Sequence, residues 1–241
     1  MVPVWRAAAP AIDFLAPDIY VPNAEEVMRQ YASASNPLFV PEARFRAGDA
    51  FLAIGGFGGL GYNVFGVEEG REGNQFSAAR SIITSLTPEI VDAQPDGRIF
   101  GFALDPQEES ISTELAGTAI TVRNSRKLLE GMLLDAGVRV PPAPELLEET
   151  VAATHGPTPG DARPFGMVLA ISPTEFIGVG QGAQVDFPKP GYDVELDAVR
   201  ELVVTDAGLQ EGRFLNGDER LEILSDKHIS AVRVSLLISA G

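Results

Sequence analysis

The sequence predicts a mixed protein in which a parallel α/β segment precedes an antiparallel β domain. In residues 1–95, strand-like and helix-like patterns alternate three times, which is typical of a parallel sheet with crossover helices. In residues 96–241, short Val- and Ile-rich runs are separated by Gly, Pro and Asp, which favours antiparallel strands. The turn-forming sequence Gln-Pro-Asp-Gly at 94–97 lies where the pattern changes. We therefore predict two domains with a boundary near residue 95.

Residues 1–95 contain three predicted strands and three predicted helices. The strands are apolar runs that end at proline, aspartate or glycine, and they cover residues 11–16, 36–40 and 62–67. The first helix has Asn23 as its N-cap, and the other two cover residues 49–55 and 76–91. The last of these helices is strongly amphipathic, so one face is expected to pack on the sheet.

Residues 96–241 contain eight predicted strands and one predicted helix. The strands cover residues 98–104, 119–123, 165–171, 175–179, 184–187, 201–205, 220–224 and 231–238. The helix covers Asn124–Ala136, and its inward face is predicted to carry Leu128, Leu129, Met132 and Leu133. Proline-rich residues 141–144 and residues 155–163 are predicted to be exposed loops.

The amino-acid composition excludes several classes of function. The chain has 34 acidic and 18 basic residues, a formal net charge of −16, which disfavours nucleic acid and anionic membranes as partners because both bind basic patches. It has no cysteine, which rules out disulfides, thiol catalysis and zinc–thiolate sites. The two histidines, His155 and His228, are distant in sequence, so no histidine metal site or Ser-His-Asp triad is predicted. We expect no metal and no cofactor.

The hydropathy pattern predicts a soluble chain. The longest apolar runs are far shorter than the roughly 18 residues that a membrane-spanning helix needs. Met1–Ala11 contain one arginine and no apolar stretch, so no secretory signal is predicted there. No feature of the sequence assigns a compartment.

Two glycine-rich stretches have glycine spacings like those of phosphate-binding loops but lie between the wrong predicted elements. Residues 56–61 match the pattern G-x-G-x-x-G, but a predicted helix precedes them and a predicted strand follows, the reverse of the order that a dinucleotide site needs. We interpret them as a tight helix-to-strand connection. Residues 178–182 lie between two predicted strands and are interpreted as a hairpin or a β-bulge.

The ends of the first three strands carry the candidate functional residues. Asp18 and Tyr20 follow the first strand, Glu42 follows the second, and Phe65 lies in the third. Because the carboxyl ends of parallel strands meet at one edge, these side chains are expected to converge. Tyr20 could then donate a hydrogen bond to Glu42 and hold it ionised as a nucleophile, and Phe65 could form the floor of a sugar site. Alternatively, Glu42 is a solvated loop acid, Tyr20 a rim residue and Phe65 a core residue.

Five stretches resemble a known family of enzymes. Ile12–Tyr20 (IDFLAPDIY), Asn36–Glu42 (NPLFVPE) and Gly61–Val67 (GYNVFGV) resemble the last three barrel strands of bacterial β-galactosidase-like enzymes of glycoside hydrolase family 35. Glu175–Gly182 and Arg213–Glu219 resemble the β domain that follows that barrel. The resemblance implies that the chain is the last three strand–helix units of a (β/α)8 barrel followed by an antiparallel β-sandwich-like domain.

The resemblance also implies roles for the candidate residues. The family hydrolyses β-galactosides with retention, using a carboxylate nucleophile and a carboxylic acid about 5–5.5 Å apart. By position, Glu42 matches the nucleophile, Tyr20 matches the tyrosine that orients it, and Asp18 lies in the same motif as Tyr20. Asp18 and Phe65 are the predicted substrate-binding residues. The chain departs from the family in three ways. It has no Asn-Glu pair, which carries the family's acid/base, and it has Asn63-Val64 in place of a more usual Ser-Pro. The five strand–helix units that precede these three in the family are also missing from this sequence.

Three hypotheses follow from these observations. The first is a glycosidase portion that carries the nucleophile but lacks the acid/base and is inactive alone, since proton donation contributes about 10²–10⁴-fold. The second is a non-catalytic module that binds carbohydrate or a partner protein. The third is self-association through the open edges of an incomplete barrel, which would expose the inner-face residues Phe14, Leu38, Val40 and Val64.

Overall fold

The computed structural model describes residues 2–67, 74–138, 161–205, 208–220 and 223–240, and the statements below concern these residues. They form a mixture of helices and sheets with a sheet-rich C-terminal part. The helices are α1 (Val2–Ala8), α2 (Ala24–Tyr31), α3 (Ala47–Phe51), which continues as a π-helical turn (Leu52–Gly56), α4 (Gln75–Ser85), α5 (Thr87–Ala93), α6 (Ser125–Asp135) and a 3₁₀ turn (Gly217–Arg220).

Thirteen strands are present in the described part of the chain. They are β1 (Asp18–Ile19), β2 (Phe39–Val40), β3 (Glu42–Ala43), β4 (Gly61–Tyr62), β5 (Ile99–Ala103), β6 (Ser110–Leu115), β7 (Thr118–Asn124), β8 (Phe165–Ser172), β9 (Glu175–Gln181), β10 (Ala183–Asp186), β11 (Tyr192–Thr205), β12 (Gly208–Phe214) and β13 (Ser230–Ala240).

The strands from β5 onward form two antiparallel sheets. The larger has six strands in the order β12-β11-β13-β9-β8-β5, and the smaller has three in the order β10-β7-β6. A hydrophobic core formed by both sheets includes Phe102, Val122, Phe176, Val185 and Val234. The predicted antiparallel arrangement of this part is therefore confirmed.

The other face of the six-stranded sheet is covered by helices from the first 95 residues. Met167, Leu169 and Ile177 of the sheet belong to a second core together with residues of α3, α4 and α5. The rings of Phe51 in α3 and Phe165 in β8 stack with their centroids 5.6 Å apart. The second core therefore joins the segments on either side of residue 95, where the chain passes from α5 to β5.

The short strands β1 to β4 pair in parallel. Asp18 and Ile19 of β1 lie opposite Glu42 and Ala43 of β3, and β2 pairs with β4. Beyond the strands, the amide of Phe65 donates to the carbonyl of Ala43 over 3.1 Å, so the parallel arrangement extends past Tyr62. The predicted parallel character of this segment is confirmed, although the regular strands are much shorter than the sequence indicated.

Several predicted elements of residues 1–95 have different bounds. No strand forms at 11–16, and β1 begins at Asp18 instead. The helix predicted over 76–91 is two helices that meet at Leu86, because Pro88 in the first turn of α5 has no amide to continue the ladder of α4. The glycine-rich residues 56–61 connect the π-helical turn to β4, which confirms their interpretation as a helix-to-strand connection.

The second part also differs in places. Arg220, Ile223 and Leu224 lie outside the strands, and the rest of the strand predicted over 220–224 lies outside the described residues. Strands β6 and β12 were not predicted, and β11 begins nine residues earlier than expected. The helix at 125–135 exists, but its predicted inward face is wrong: Leu128, Leu129 and Met132 are exposed and Leu133 is half-buried. Residues 178–182 do not form the predicted hairpin: β9 pairs with β8 and β13, whereas β10 pairs with β7 of the smaller sheet, so Gly182, at φ +75°, lies where the chain passes from one sheet to the other. The predicted loop at 141–144 lies outside the described residues.

Gly101 permits the close approach of β5 to the π-helical turn. A Cβ added at this position would overlap backbone atoms of Gly56 and Phe51. We expect Gly101→Ala to lower the free energy of unfolding by about 1–3 kcal/mol, measured by urea denaturation, because the backbones must separate. In contrast, a Cβ added at Gly131 in α6 has no atom within 4 Å, so Gly131→Ala is expected to raise the free energy of unfolding by about 0.5–1 kcal/mol. Equal stability changes in the two variants would contradict the close contact.

Candidate functional site

The pairing of β1 with β3 brings two acidic side chains into register. Asp18 is directly opposite Glu42 in the parallel ladder. The neighbouring pair, Ile19 and Ala43, is buried, at 3% and 1% exposure, and packs against Ala24 and Met28 of α2. Because successive strand residues point to opposite faces, the two carboxylates lie on the face away from α2.

Tyr20 lies on the same face as Asp18 and donates its phenolic hydroxyl to Oε1 of Glu42. The structure therefore contains the hydrogen bond that the sequence predicted. Partial burial, the hydrogen bond to Glu42 and the charges of Glu42 and Asp18 raise the pKa of Tyr20 well above its ordinary value. Tyr20 consequently remains a proton donor to Glu42 throughout the physiological pH range. The catalytic role of Glu42 and the orienting role of Tyr20 stay predictions.

Phe39 lies on the side of its strand opposite the buried Leu38 and Val40, and Phe14 packs against it. Their rings are in edge-to-face contact, with centroids 6.2 Å apart. A Cβ on Gly61 of β4 would lie 3.0 Å from the Phe39 ring, so the glycine leaves room for that ring. The expectation that Leu38 and Val40 also lie on the inner face is wrong, because both are buried among the residues that pack against α2. The ladder is interrupted at Pro41, between β2 and β3, and this interruption shifts the alternation of side chains so that Glu42 points inward.

Phe65 is held beside the acidic pair by its backbone. Its amide donates to Ala43, the residue after Glu42, and its side chain is 42% exposed. It is therefore not a core residue. Its predicted role as a platform for a sugar ring stays a prediction.

A buried ionic cluster, which the sequence did not predict, anchors the segment that follows Glu42. Nη2 of Arg163 lies 2.6 Å from Oδ1 of Asp49 in α3 and 2.6 Å from Oδ2 of Asp161, and its Nε lies 2.9 Å from Oδ1 of Asp161. Oδ2 of Asp161 also accepts the amide of Gly48 at the start of α3 over 3.1 Å. The prediction that residues 155–163 are an exposed loop is therefore wrong at Asp161 and Arg163.

The charges of this cluster are strongly coupled. Burial raises the pKa of Asp49, and the neighbouring Arg163 guanidinium offsets part of that increase. Burial also disfavours the Arg163 cation, but the hydrogen bonds and charges of Asp161 and Asp49 raise its pKa overall. Gln75 of α4 extends the cluster, since its Nε2 donates to the Asp161 carbonyl over 3.1 Å and to Oε1 of Gln181 in β9 over 2.9 Å. The cluster thus ties α3 and α4 to the six-stranded sheet.

Other classes of site find little support in the described residues. No group of three or more His, Cys, Asp or Glu side chains within them is arranged to hold a metal ion. No helix among them is both long enough and apolar enough to cross a bilayer.

Comparison with known families places the chain in one of them. A family model described as a domain of unknown function, DUF5597, matches residues 76–225 of the 241, which is more than half of the chain. The chain belongs to the DUF5597 family. The DUF5597 match begins in α4 and ends between the 3₁₀ turn and β13, so Asp18, Tyr20, Glu42 and Phe65 all lie outside it. No curated protein matches the chain. The DUF5597 description assigns no activity, and the resemblance to glycoside hydrolases stays a prediction.

Proposed function

We propose that this chain is the nucleophile-bearing part of a retaining glycoside hydrolase that acts on β-galactosides. The observation that carries the proposal is the hydrogen bond from Tyr20 to Glu42 at the ends of two parallel strands, with Asp18 in register beside it. A positioned carboxylate at such a strand end is the arrangement that barrel glycosidases use for attack on the anomeric carbon.

Each side chain has a distinct role in this proposal. An oxygen of Glu42 attacks the anomeric carbon, and the bond between that carbon and the leaving oxygen breaks. The hydroxyl of Tyr20 fixes the orientation of Glu42. Asp18 accepts hydrogen bonds from sugar hydroxyls, and the exposed ring of Phe65 packs against an apolar face of the sugar. Strands β1 to β4 and their helices are, on this proposal, the last three strand–helix units of a (β/α)8 barrel.

The acid/base is the part of the machinery that this sequence does not supply. The Asn-Glu pair of the resembled family is absent, so protonation of a poor leaving group requires residues outside this sequence. A leaving group that departs without protonation should bypass that requirement. A test of the nucleophile alone is therefore feasible on the chain as it stands.

The experiment is covalent trapping with a dinitrophenyl β-galactoside that carries fluorine in place of the hydroxyl next to the anomeric carbon. Dinitrophenolate leaves with its electron pair and needs no proton, while the fluorine slows hydrolysis of the galactosyl ester. We expect peptide mass spectrometry to find the added galactosyl group on Glu42 and none on the exposed Asp18. A glucoside with the same leaving group tests the preference for galactose.

Two results would refute the proposal. Labelling spread over surface carboxylates would mean that Glu42 has no special reactivity. No labelling together with retention on a galactose affinity column would favour a non-catalytic carbohydrate-binding module.

A further inference from the structure

The backbone that follows Glu42 is held by side chains from distant parts of the chain. Residues 43–48, here called the connecting segment, join Glu42 of β3 to the first turn of α3. The carbonyl of Arg44 accepts the hydroxyl of Tyr62 over 3.1 Å, and the amide of Gly48 donates to Oδ2 of Asp161 over 3.1 Å. The connecting segment is therefore fixed near both of its ends by hydrogen bonds to side chains 18 and 113 positions further along the chain.

Packing encloses the same segment. The ring of Phe45 is in edge-to-face contact with Phe76 of α4, with centroids 5.7 Å apart, and the Tyr62 ring centroid lies 6.1 Å from that of Phe76. Ala43 and Ala47 are 1% and 0% exposed. A displacement of the connecting segment would open space beside these side chains, which a close-packed interior resists.

Gly48 brings the connecting segment into close contact with the residues before β8. A Cβ at this position would lie 2.6 Å from Oδ2 of Asp161 and 3.0 Å from the Cβ of Phe165. Asp161 is itself held by Arg163, whose Nε and Nη2 lie 2.9 Å and 2.6 Å from its two carboxylate oxygens. The Gly48 amide thus meets an acceptor that is buried and fixed by its own ion pair.

The hydroxyl of Tyr62 lies close to the ionic cluster and remains a donor. Burial raises the pKa of Tyr62 well above the ordinary value of a tyrosine. The charges of Asp49 and Asp161 add to that increase, and neighbouring arginines offset part of it. Because the hydroxyl keeps its proton at physiological pH, it can donate to the Arg44 carbonyl throughout that range.

We propose that Tyr62 and Asp161 are positioning residues for Glu42, which act through the connecting segment to hold its carboxylate in the orientation that Tyr20 meets. The inference rests on the proposed role of Glu42 as the nucleophile. The Arg44 carbonyl is two residues from Glu42, so a shift at this carbonyl moves the carboxylate. Since a misplacement of about 1 Å can cost about 10²-fold in rate, the contacts affect the rate of attack more than the affinity for the sugar.

The proposal gives the sheet-rich part of the chain a role in the reaction. Asp161 lies within the DUF5597 match, whereas Glu42 and Tyr62 lie before it. On this proposal, the residues before β8 supply a rigid support for the nucleophile and make no contact with the substrate.

The test is the rate of covalent trapping at Glu42 by the activated fluorogalactoside, measured at several reagent concentrations. Tyr62→Phe keeps the ring that packs on Phe76 and removes only the hydroxyl. We expect the maximal rate of trapping to fall by about tenfold or more, while the half-saturating concentration of reagent stays unchanged. Tyr192→Phe removes the same atom from a tyrosine that is 49% exposed, and it should change neither value.

A second pair of variants tests the contribution of the ionic cluster. Asp161→Asn replaces one carboxylate oxygen by an amide nitrogen, which cannot accept the hydrogen bonds that Gly48 and Arg163 donate. It should also lower the maximal rate of trapping by about tenfold or more. Asp186→Asn changes a partly exposed aspartate of the smaller sheet, which pairs with Arg123, and it should leave trapping unchanged. All four variants are compared at a temperature at which circular dichroism shows them to be folded.

Hydrogen exchange provides a readout that does not depend on the chemistry. The amide of Phe65 donates to the carbonyl of Ala43, the first residue of the connecting segment. We expect this amide to exchange about tenfold or more faster in Tyr62→Phe and Asp161→Asn, while the amides of β9 keep the parent rate.

The outcomes distinguish this inference from the proposed function. Lower maximal rates together with faster exchange at Phe65 support the inference. If the parent chain labels Glu42 and both variants label it at the parent rate, the inference is overturned and the proposed function stands. A change confined to the half-saturating concentration also overturns it, because the two residues would then affect binding alone. If the parent chain never labels Glu42, the proposed function fails, and exchange at Phe65 decides whether Tyr62 and Asp161 hold the segment: faster exchange supports the hold and unchanged exchange overturns it.

Discussion

Replacing Arg163 by methionine is expected to lower the free energy of unfolding by about 3–5 kcal/mol, because two buried carboxylates lose their shared counter-charge. The Asp49 and Asp161 side chains are 3% and 4% exposed, and both lie 2.6 Å from Nη2 of Arg163. Methionine fills part of the space but leaves the two negative charges next to each other. Urea denaturation at neutral pH measures the loss.

The stability lost in Arg163→Met should also depend on pH, and it should become smaller as the pH falls. The folded-state pKa of Asp49 is raised above its unfolded value near 3.8, so the folded state binds the proton more tightly. Stability from this group is fully present below the unfolded pKa and is lost as the pH rises through the folded pKa. Without Arg163 the folded-state pKa of Asp49 rises further, so Arg163→Met should recover stability relative to the parent chain as the pH is lowered from neutral toward the unfolded pKa.

A surface pair provides the control for this prediction. Arg29 and Glu25 form an ion pair whose side chains are largely exposed. Arg29→Met should therefore change the free energy of unfolding by less than about 1 kcal/mol, with no recovery at lower pH. If Arg163→Met lowered the free energy of unfolding no more than Arg29→Met does, the cluster would not hold α3 against the six-stranded sheet.

The ionic cluster illustrates what the sequence could not predict. Asp49 and Arg163 are separated by 114 positions, and each lies in a stretch whose local pattern is unremarkable. Their pairing depends on how α3 packs on β8, which is a tertiary property with no local sequence pattern. A charged residue inside the otherwise apolar stretch 47–56 was the one available hint, because such a charge requires a buried partner.

Secondary structure was predictable where hydrophobic runs coincided with strands. The buried strands β8, β9 and β13 are rich in Val, Ile and Phe, and their positions were predicted closely. The missed strand β12 has the polar sequence GLQEGRF and pairs at the edge of the sheet, where solvent replaces one neighbour. Helix α6 was predicted with the wrong orientation because its apolar periodicity indicates a buried face, whereas the described structure leaves that face exposed.

The relative positions of the site residues were predictable because they depend on local geometry. Asp18 and Tyr20 are two residues apart and therefore share a face, and Glu42 follows the neighbouring parallel strand. The pattern could not show that Pro41 divides the second strand into β2 and β3. That division places Leu38 and Val40 toward α2 while Glu42 faces the opposite side.

Glu42→Gln is expected to abolish covalent trapping of the activated fluorogalactoside at position 42. An amide is a far weaker nucleophile than a carboxylate, and removal of a nucleophile in other enzymes costs about 10⁴–10⁶ in rate. The substitution keeps the size of the side chain and one oxygen that can accept the Tyr20 hydroxyl, so the fold should be preserved. Total labelling of the chain that persists at the parent rate in Glu42→Gln would show that the reagent never used this site.

Tyr20→Phe separates the positioning role from the chemistry. The variant removes one hydrogen bond to a charged group, which is worth about 1.5–3 kcal/mol, so trapping at Glu42 should slow by about 10–150-fold. It should also leave the labelling of exposed carboxylates unchanged. Since the pKa of Tyr20 is raised, the parent rate should show no loss of trapping from ionisation of Tyr20 up to about pH 10. A variant that labels Glu42 as fast as the parent would mean that Tyr20 packs against Glu42 without orienting it.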